Sequence, residues 1–116
     1  MIARAWHGAV RAERAADYAS YLQQTGVTDL RATEGNHGVY VLQRVEKGQV
    51  HFLMISLWRS REDIRAFAGE DIERARYYPE DASFLLELEP HVTHYEVLVQ
   101  PEPRTADAEG GRGHEY

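Results

Sequence analysis

The segment from Phe52 to Trp58 is apolar at every position except Ser56. Successive side chains of a β-strand point to opposite sides of its sheet. Here both sides are apolar, with Phe52, Met54 and Trp58 on one and Leu53, Ile55 and Leu57 on the other. This pattern predicts a central strand that is buried on both faces.

An amphipathic helix is predicted directly after this strand. Ser60 stands where an N-cap is expected, and Asp63 follows at the capping-box spacing. Apolar side chains then recur at helical spacing, at Ile64, Phe67, Ala68, Ile72 and Ala75. Gly69 predicts a break between two short helices, and Pro79 is expected to end the helical region.

The N-terminal part predicts a strand and a helix that pack beside this unit. Residues 2–10 alternate weakly and place Trp6 and His7 on opposite faces of a strand. Residues 11–24 carry small apolar side chains at helical spacing, and Gly26 is expected to cap the C-terminus of the helix. The long connection 27–36 has room for one helical turn at 28–31, and it is a candidate pocket rim.

The remaining segments complete a pattern of strand, helix, strand, strand, helix, strand. Residues 37–45 predict a strand, which a hairpin turn containing Gly48 joins to the central strand. Residues 80–88 are expected to cover the core with Phe84, Leu85 and Leu88, and residues 91–99 to form the last strand. The predicted fold class is α+β, a ferredoxin-like βαββαβ sandwich.

A homodimer follows from the two-sided pattern of the central strand. Two helices can cover only one face of a four-stranded sheet, whereas this strand is apolar on both sides. A second copy of the chain, packed sheet against sheet, would cover the other face.

Composition limits the classes of partner. The 116 residues have the length of one domain, which we place at residues 1–100, followed by a polar tail at 101–116. Without cysteine, the chain can form no thiolate metal site and has no cysteine nucleophile. A formal net charge of −6 argues against nucleic acid and anionic membranes as partners. The sequence shows no apolar segment of membrane-spanning length and no signal-peptide pattern, so a cytoplasmic location is expected.

Several short motifs are similar to those of a known family. They are Trp6-His7-Gly8, Leu57-Trp58-Arg59-Ser60, Ala66-Phe67-Ala68-Gly69, Ala75-Arg76-Tyr77-Tyr78-Pro79-Glu80-Asp81 and His94-Tyr95-Glu96-Val97. With them, residues 1–99 resemble the small stand-alone members of the antibiotic biosynthesis monooxygenase family. The resemblance implies a dimeric α+β barrel with a pocket between sheet and helices in each protomer. Some members oxidise aromatic or quinol substrates with molecular oxygen and no metal or flavin, whereas others bind and degrade haem.

The haem-degrading members carry an Asn on the first strand, a Trp on the second helical segment and an iron-ligating His shortly after it. The comparable positions of this chain hold His7, Phe67 and Tyr77. The resemblance therefore favours the members that use molecular oxygen with no metal or flavin over those that bind haem, and no cofactor is expected. A metal site is not expected either, because His91 and His94 would lie on opposite faces of a strand.

Three residues are candidates for catalysis: His7, Trp58 and His94. A histidine base could remove a phenolic proton and leave an electron-rich anion that reacts with oxygen. Five aromatic residues are candidates for substrate contact: Trp6, Tyr18, Phe67, Tyr77 and Tyr78. Since the first and third strands are neighbours in the predicted sheet, Trp6 and Trp58 could form an aromatic floor. Each candidate also has a structural interpretation, as a side chain of the core or of the dimer interface.

Two main functional hypotheses remain open at this point. The first is a homodimeric, cofactor-independent oxygenase acting on a small aromatic or quinol substrate. The alternative is a dimeric module that binds a small ligand without turnover, and haem binding is a weaker third.

Overall fold

The computed structural model describes residues 1–102 and consists of a four-stranded sheet with helices on one face. The strands are β1 (Ile2–Arg11), β2 (Asn36–Glu46), β3 (Gln49–Trp58) and β4 (Thr93–Glu96). The α-helices are α1 (Ala15–Leu22), α2 (Thr28–Ala32), α3 (Arg61–Ala68) and α4 (Asp81–Phe84). None of the helices in this part of the chain has the length and apolar character to cross a membrane.

The sheet is antiparallel throughout, with strand order β2-β3-β1-β4. The hairpin between β2 and β3 turns at Lys47 and Gly48, which both have positive φ, as a tight two-residue turn requires. Strand β1 lies between β3 and β4, with Ile2 opposite Trp58 on one side and Glu96 on the other. This order and the βαββαβ connectivity confirm the predicted ferredoxin-like α+β fold.

The two faces of the sheet differ in burial. The face toward the helices, here called the helix face, carries the buried side chains of β1 and β3, which include Trp6, Val10, Phe52, Met54 and Trp58. The other face, here called the open face, carries alternate side chains that are only half-buried or exposed, among them His7, Leu42, His51, Leu53, Ile55, Leu57 and Tyr95. The two-sided apolar pattern of the central strand is confirmed, and one of its sides has no cover within residues 1–102.

The first helical region is longer than predicted. A 3₁₀ turn at Ala12–Arg14 leads into α1, and a π-helical segment at Gln23–Val27 joins α1 to α2 without a break. Gly26 is therefore not a C-terminal cap, and that prediction was wrong. Gly26 is buried in the π segment, where an added Cβ would lie 3.3 Å from Met54 Cε. The glycine allows the helix to approach β3 closely rather than to end there.

The second helical region is shorter than predicted. The Ser60 hydroxyl accepts a hydrogen bond from the Asp63 backbone N–H, and Gly69 ends α3 with a φ of 92°, as expected. The predicted second helix through Ile72 and Ala75 is wrong, since residues 69–80 form an irregular coil. Here the backbone pairs with the chain near β4 instead, for example through Ala75 N–H and the Pro90 carbonyl at 2.8 Å.

The C-terminal part differs from the prediction at its ends. Helix α4 and the following residues supply Phe84 and Leu85 to the core, but Leu88 is exposed. Strand β4 is limited to Thr93–Glu96, because Val92 bonds to the coil and Leu98 and Val99 extend beyond β1 into solvent. Most of the predicted tail, residues 103–116, lies outside the described residues.

Candidate functional site

A pocket of about 270 Å³ opens on the open face of the sheet. Its lining residues come from β1, β2 and β3, and they are His7, Leu42, Gln43, Arg44, His51, Phe52 and Leu53. His7 stands opposite Leu53, and His51 stands opposite Ala9, so the two histidines are diagonal neighbours on adjacent strands. We call this the histidine pocket.

The two histidines form a hydrogen-bonded chain with Glu89. The Glu89 carboxylate lies 2.6 Å from His7 Nδ1, and His7 Nε2 lies 2.9 Å from His51 Nδ1. The imidazole rings are stacked, with centroids 5.1 Å apart. Tyr77 holds Glu89, the first member of this hydrogen-bonded series, in place, because the Tyr77 hydroxyl donates to the Glu89 carbonyl. Glu89 reaches His7 because the segment after α4 runs beside β1, with Leu86 N–H bonded to the Ala9 carbonyl.

The carboxylate fixes the direction of these hydrogen bonds. An ionised Glu89 only accepts, so His7 donates its Nδ1–H and a neutral His7 presents Nε2 as an acceptor. His51 must then donate Nδ1–H to His7, which leaves the lone pair of His51 Nε2 available. The arrangement follows the logic of a carboxylate-oriented imidazole base, extended by a second imidazole.

A second ion pair lies at the rim of the histidine pocket. Arg44 Nη1 donates to Glu46 Oε1 at 2.7 Å, and this hydrogen bond holds the pKa of Glu46 below its usual range. Glu46 Oε1 is 3.7 Å from His51 Nε2, which is too long for a hydrogen bond. The His51 nitrogen is therefore not held by this carboxylate.

The predicted aromatic residues lie together on the other face of the sheet, in the core. Trp58 is fully buried, and its indole donates to the Ser56 hydroxyl at 2.9 Å. Phe67 packs near Trp58 with ring centroids 6.4 Å apart, and Trp6 contacts Tyr77 edge-on at 6.3 Å. Neither indole lines either of the two pockets described here, so the two tryptophans act as packed core side chains in this structure.

The predicted tyrosine hydroxyls are all engaged within the protein. Tyr18 donates to the buried carboxylate of Asp81 at 2.7 Å, and Tyr78 donates to Asp29 at 2.7 Å. Burial, followed by the hydrogen bond to the carboxylate, raises the pKa of both phenols. Burial also raises the pKa of Tyr77. The Tyr18 hydroxyl thus links α1 to α4, and the Tyr78 hydroxyl links the coil 69–80 to α2.

A second pocket, of about 360 Å³, lies between the first helical region and β2. It is lined by Gln23, Val27, Arg31, Val39 and Val41. The segment that was expected to form a pocket rim does so through Val27 and Arg31, although it is helical. This pocket contains no histidine or aromatic side chain, so its lining offers no general base.

The three candidate catalytic residues do not form one site. His7 is on the open face, whereas Trp58 is on the helix face. His94 stands opposite Arg4 in the β1–β4 register, which places it on the helix face as well. Burial, together with the charges of Arg4 and Arg61, lowers the pKa of His94. The sheet therefore separates His7 from the other two.

Three residues whose side chains could take part in binding or catalysis were not identified from the sequence: His51, Arg4 and Glu89. His51 was accessible to sequence reasoning, because it is two residues before Leu53 and so shares the side opposite Phe52. Combined with the predicted pairing of the first and third strands, this would have placed it near His7. Glu89 had no such signal, since it lies in an irregular segment.

Within residues 1–102, no group of three or more His, Asp or Glu side chains is arranged to hold a metal ion. The chemistry that this part of the chain offers is acid–base chemistry at the histidine pocket, beside the apolar walls of Leu42 and Leu53.

Comparisons with known proteins show which solved structures share this fold. A search of curated proteins finds no match. Three similar solved structures share the fold at low sequence identity. A protein of Nitrosomonas europaea, assigned by name to the antibiotic biosynthesis monooxygenases, has a TM-score of 0.61 and 14% identity over 85% of this chain and 100% of that one. Rv0793 of Mycobacterium tuberculosis has a TM-score of 0.56 and 16% identity over 87% and 98% of the two chains.

The third structure is that of the haem degrader MhuD of Mycobacterium tuberculosis, which contains two haems in its active site. Its TM-score is 0.55, with 14% identity over 88% of this chain and 100% of that one. The family model for antibiotic biosynthesis monooxygenases matches residues 1–75. The chain therefore belongs to the antibiotic biosynthesis monooxygenase family.

Proposed function

We propose that this protein is a homodimer that binds a small quinol or phenol in the histidine pocket and promotes its oxidation by molecular oxygen. The observation that carries the proposal is the hydrogen-bonded chain Glu89–His7–His51 beside apolar pocket walls. Among the residues proposed from the sequence, the mechanism retains His7 and transfers the role of the base to its neighbour His51.

The chain of hydrogen bonds supplies a route for one proton. The ligand hydroxyl gives its proton to His51 Nε2, and the Nδ1 proton of His51 moves to His7 Nε2 across 2.9 Å. His7 is then an imidazolium next to the Glu89 carboxylate, which stabilises the positive charge. The ligand is left as a phenolate, a much better electron donor than the phenol.

The redox balance needs no outside reductant. A quinol that loses two protons and two electrons becomes a quinone, and oxygen that gains them becomes hydrogen peroxide. If one oxygen atom is instead incorporated, at a ring-bound CH₂ that becomes C=O, the other oxygen atom leaves as water. Both routes begin with the same deprotonation, so the same base serves both.

The size and the lining of the pocket support a small aromatic ligand. Leu42 and Leu53 provide apolar walls, and Arg44 at the rim provides a cation that can attract a phenolate. The volume of about 270 Å³ is at the lower end of ligand pockets, which suits one or two fused rings.

The homodimer is supported by the same open face. Leu53, Ile55 and Leu57 are only half-buried there, and Tyr40 and Tyr95 are more than half-exposed at 54% and 57%. An apolar sheet face of this kind is expected to pack against another sheet. In such a dimer the histidine pocket lies at the interface, where the partner would shield a bound ligand from water.

The test is oxygen consumption with 1,4-naphthohydroquinone, corrected for the rate without protein. We expect His51→Gln to lower the protein-dependent rate by a factor of about 100, the lower range for loss of a general base. His37→Gln is the matched control, because His37 is exposed on β2 and lies outside the histidine pocket. Labelled oxygen gas would show whether an oxygen atom enters the product.

Two results would overturn the proposal. One is an equal rate for His51→Gln and wild type, and the other is a wild-type rate no higher than the blank with this substrate and with 1,4-benzohydroquinone. Trp58→Phe is expected to retain the rate, since Trp58 lies on the opposite face of the sheet.

The second candidate function is ligand binding without turnover. It is favoured by the tight packing between sheet and helices, where Trp6 is 4% exposed and Trp58 is 0% exposed. An NMR titration with 1-naphthol reports binding, and oxygen consumption with 1,4-naphthohydroquinone reports turnover, so the two measurements together separate the two candidates. Shifts of the His7 and His51 signals with no oxygen consumption would support the binding module.

Haem fits the residues of this chain poorly. Tyr77 stands where the haem-degrading members carry the iron-ligating His, and its hydroxyl is bonded to the Glu89 carbonyl. Phe67 stands where those members carry a Trp on the second helical segment, and it packs against Trp58, Arg4 and Arg76. We therefore expect no Soret shift when haemin is titrated into the protein, although the structurally similar MhuD is described as a haem degrader with two bound haems.

A further inference from the structure

A buried arginine lies on the helix face, at the end of the sheet away from the β2–β3 hairpin. Arg4 is 3% exposed and stands opposite Ser56 on β3 and His94 on β4. Its Nη2 donates to the Arg74 carbonyl at 3.0 Å, and its guanidinium carbon lies 5.5 Å from the centre of the Phe67 ring. Its Nε–H is buried and has no partner within residues 1–102.

No carboxylate of the described residues forms an ion pair with Arg4. Burying a cation without a counter-charge is costly, and a missing hydrogen-bond partner adds to the cost. The guanidinium carbon of Arg76 lies 4.7 Å from the centre of the same Phe67 ring, and its positive charge makes the position of Arg4 less favourable still. Burial and this neighbouring charge lower the pKa of Arg4 to about 10.

The imidazole opposite Arg4 is also incompletely bonded. His94 Nε2 is buried and has no hydrogen-bond partner within residues 1–102. The charged groups that act on His94 are Arg4 and Arg61, which oppose its protonation, and Glu73, which favours it. Two buried nitrogen atoms on paired residues of β1 and β4 therefore lack partners within residues 1–102.

We propose that Arg4 and His94 bind the carboxylate group of a small organic acid. The guanidinium and a neutral imidazole provide N–H donors, and a planar carboxylate matches the fork of an arginine side chain. The donors at the site are one guanidinium and one neutral imidazole, a set that suits a monoanion. The irregular coil 69–80, which supplies the Arg74 carbonyl, covers the site and would move to admit the ligand.

This site is independent of the proposed oxidation. It lies on the helix face, whereas the histidine pocket opens on the open face of the same sheet. Failure of one proposal therefore leaves the other untouched.

The first experiment is thermal unfolding of the full chain in a sulfonate buffer at pH 7.5. Sodium acetate is compared with sodium chloride at equal ionic strength. A ligand that binds only the folded state raises the melting temperature in proportion to the logarithm of its concentration above Kd. We expect acetate to raise Tm above the value in chloride, and Arg4→Met to weaken the apparent affinity for acetate at least tenfold.

Arg14→Met is the matched control. Arg14 also lies over an aromatic ring, 4.3 Å from the centre of Phe84, and also donates to a backbone carbonyl. It is more accessible to solvent than Arg4, so we expect its loss to leave the acetate effect intact. The ring nitrogen signals of wild-type His94 provide a readout that needs no variant, and they should shift on addition of acetate while those of His37 do not.

Three outcomes overturn the proposal. The first is an equal effect of acetate and chloride on Tm, which would mean that bound water satisfies the two nitrogens. The second is a full acetate effect in Arg4→Met or, where that variant does not fold, in His94→Gln. Finally, an effect of inorganic phosphate as large as that of acetate would contradict a site for a carboxylate monoanion.

Discussion

The Nε2 atom of His7 lies 2.9 Å from the Nδ1 atom of His51, on two strands that are distant in sequence and adjacent in the sheet. Their side chains are 37% and 21% exposed, so both are accessible from the histidine pocket. With Glu89 accepting from Nδ1–H of a neutral His7, the pair has one defined direction of hydrogen bonding. That direction leaves the lone pair of His51 Nε2 without a hydrogen bond, on a residue that lines the histidine pocket.

The tautomer of His7 is the first testable consequence. With Glu89 present, His7 should carry its proton on Nδ1 and His51 likewise, as long-range proton–nitrogen NMR spectra at pH 8 can show. Glu89→Leu should remove this preference and give mixed tautomers at His7. Glu87→Leu, an exposed acid on the same segment, is the control and should leave both tautomers unchanged. A wild-type His7 protonated on Nε2 would contradict the assigned direction.

The hydrogen bond between Tyr18 and Asp81 should contribute to stability. Tyr18 is fully buried, and the Asp81 carboxylate, itself 4% exposed, accepts from Tyr18 and from the Tyr78 backbone N–H. Tyr18→Phe removes one of these donors, and we expect a loss of about 1–3 kcal/mol in the free energy of unfolding. Leu98→Ala, at an 87% exposed position, should change it by less than about 0.5 kcal/mol in urea unfolding.

Replacement by alanine should change the free energy of unfolding differently at Gly8 and at Gly26. A Cβ at Gly8 would lie 2.5 Å from the rigid Trp6 ring and 2.8 Å from Leu85 Cδ2, so Gly8→Ala is expected to cost about 1–3 kcal/mol. A Cβ at Gly26 would meet only the end of the flexible Met54 side chain, at 3.3 Å. Gly26→Ala should therefore be close to neutral, because the helical propensity gained offsets the tight contact. Equal losses for the two variants would refute this difference in packing.

The open face should determine the oligomeric state. Ile55→Glu places a charge at the centre of the half-buried apolar surface, and we expect it to convert a homodimer into a 13.3 kDa monomer. Sedimentation velocity is the measurement. Val45→Glu is the control, since Val45 is 68% exposed and pairs with Val50, on the helix-face side of the sheet. A wild-type chain that sediments as a monomer at micromolar concentration would contradict the dimer.

The link between Arg59 and Asp63 should make stability depend on pH at the acid end. Hydrogen bonds from Arg59 hold the pKa of Asp63 below its usual range. The folded-state pKa is thus lower than the unfolded one, so the contribution is present above the unfolded value and is lost as the pH falls through the folded value. Asp63→Asn should be less stable than wild type at pH 6, with a difference that shrinks toward pH 3. Glu70→Gln, at an exposed position without an ion pair in residues 1–102, should show no such trend.

Local patterns explain which parts of the fold were predictable. The alternation in β3, the cap at Ser60 and the end of α3 at Gly69 depend on the residue and its near neighbours, so each was predicted correctly. Gly26 and the segment after Gly69 were interpreted by the same local rules, and those interpretations were wrong. In both cases a contact distant in sequence decides the conformation: Met54 beneath Gly26, and Pro90 beside Ala75.

The sequence by itself determined the α+β fold, the order of strands and the two-sided apolar strand, because these follow from periodicity and short-range turns. It also marked His7 as a candidate base. Only the tertiary structure decided which groups meet: Glu89 with His7 and His51 on the open face, and Arg4 with His94 on the helix face. Such meetings depend on the register of strands and on the path of irregular segments, and neither is encoded in any local pattern of residues.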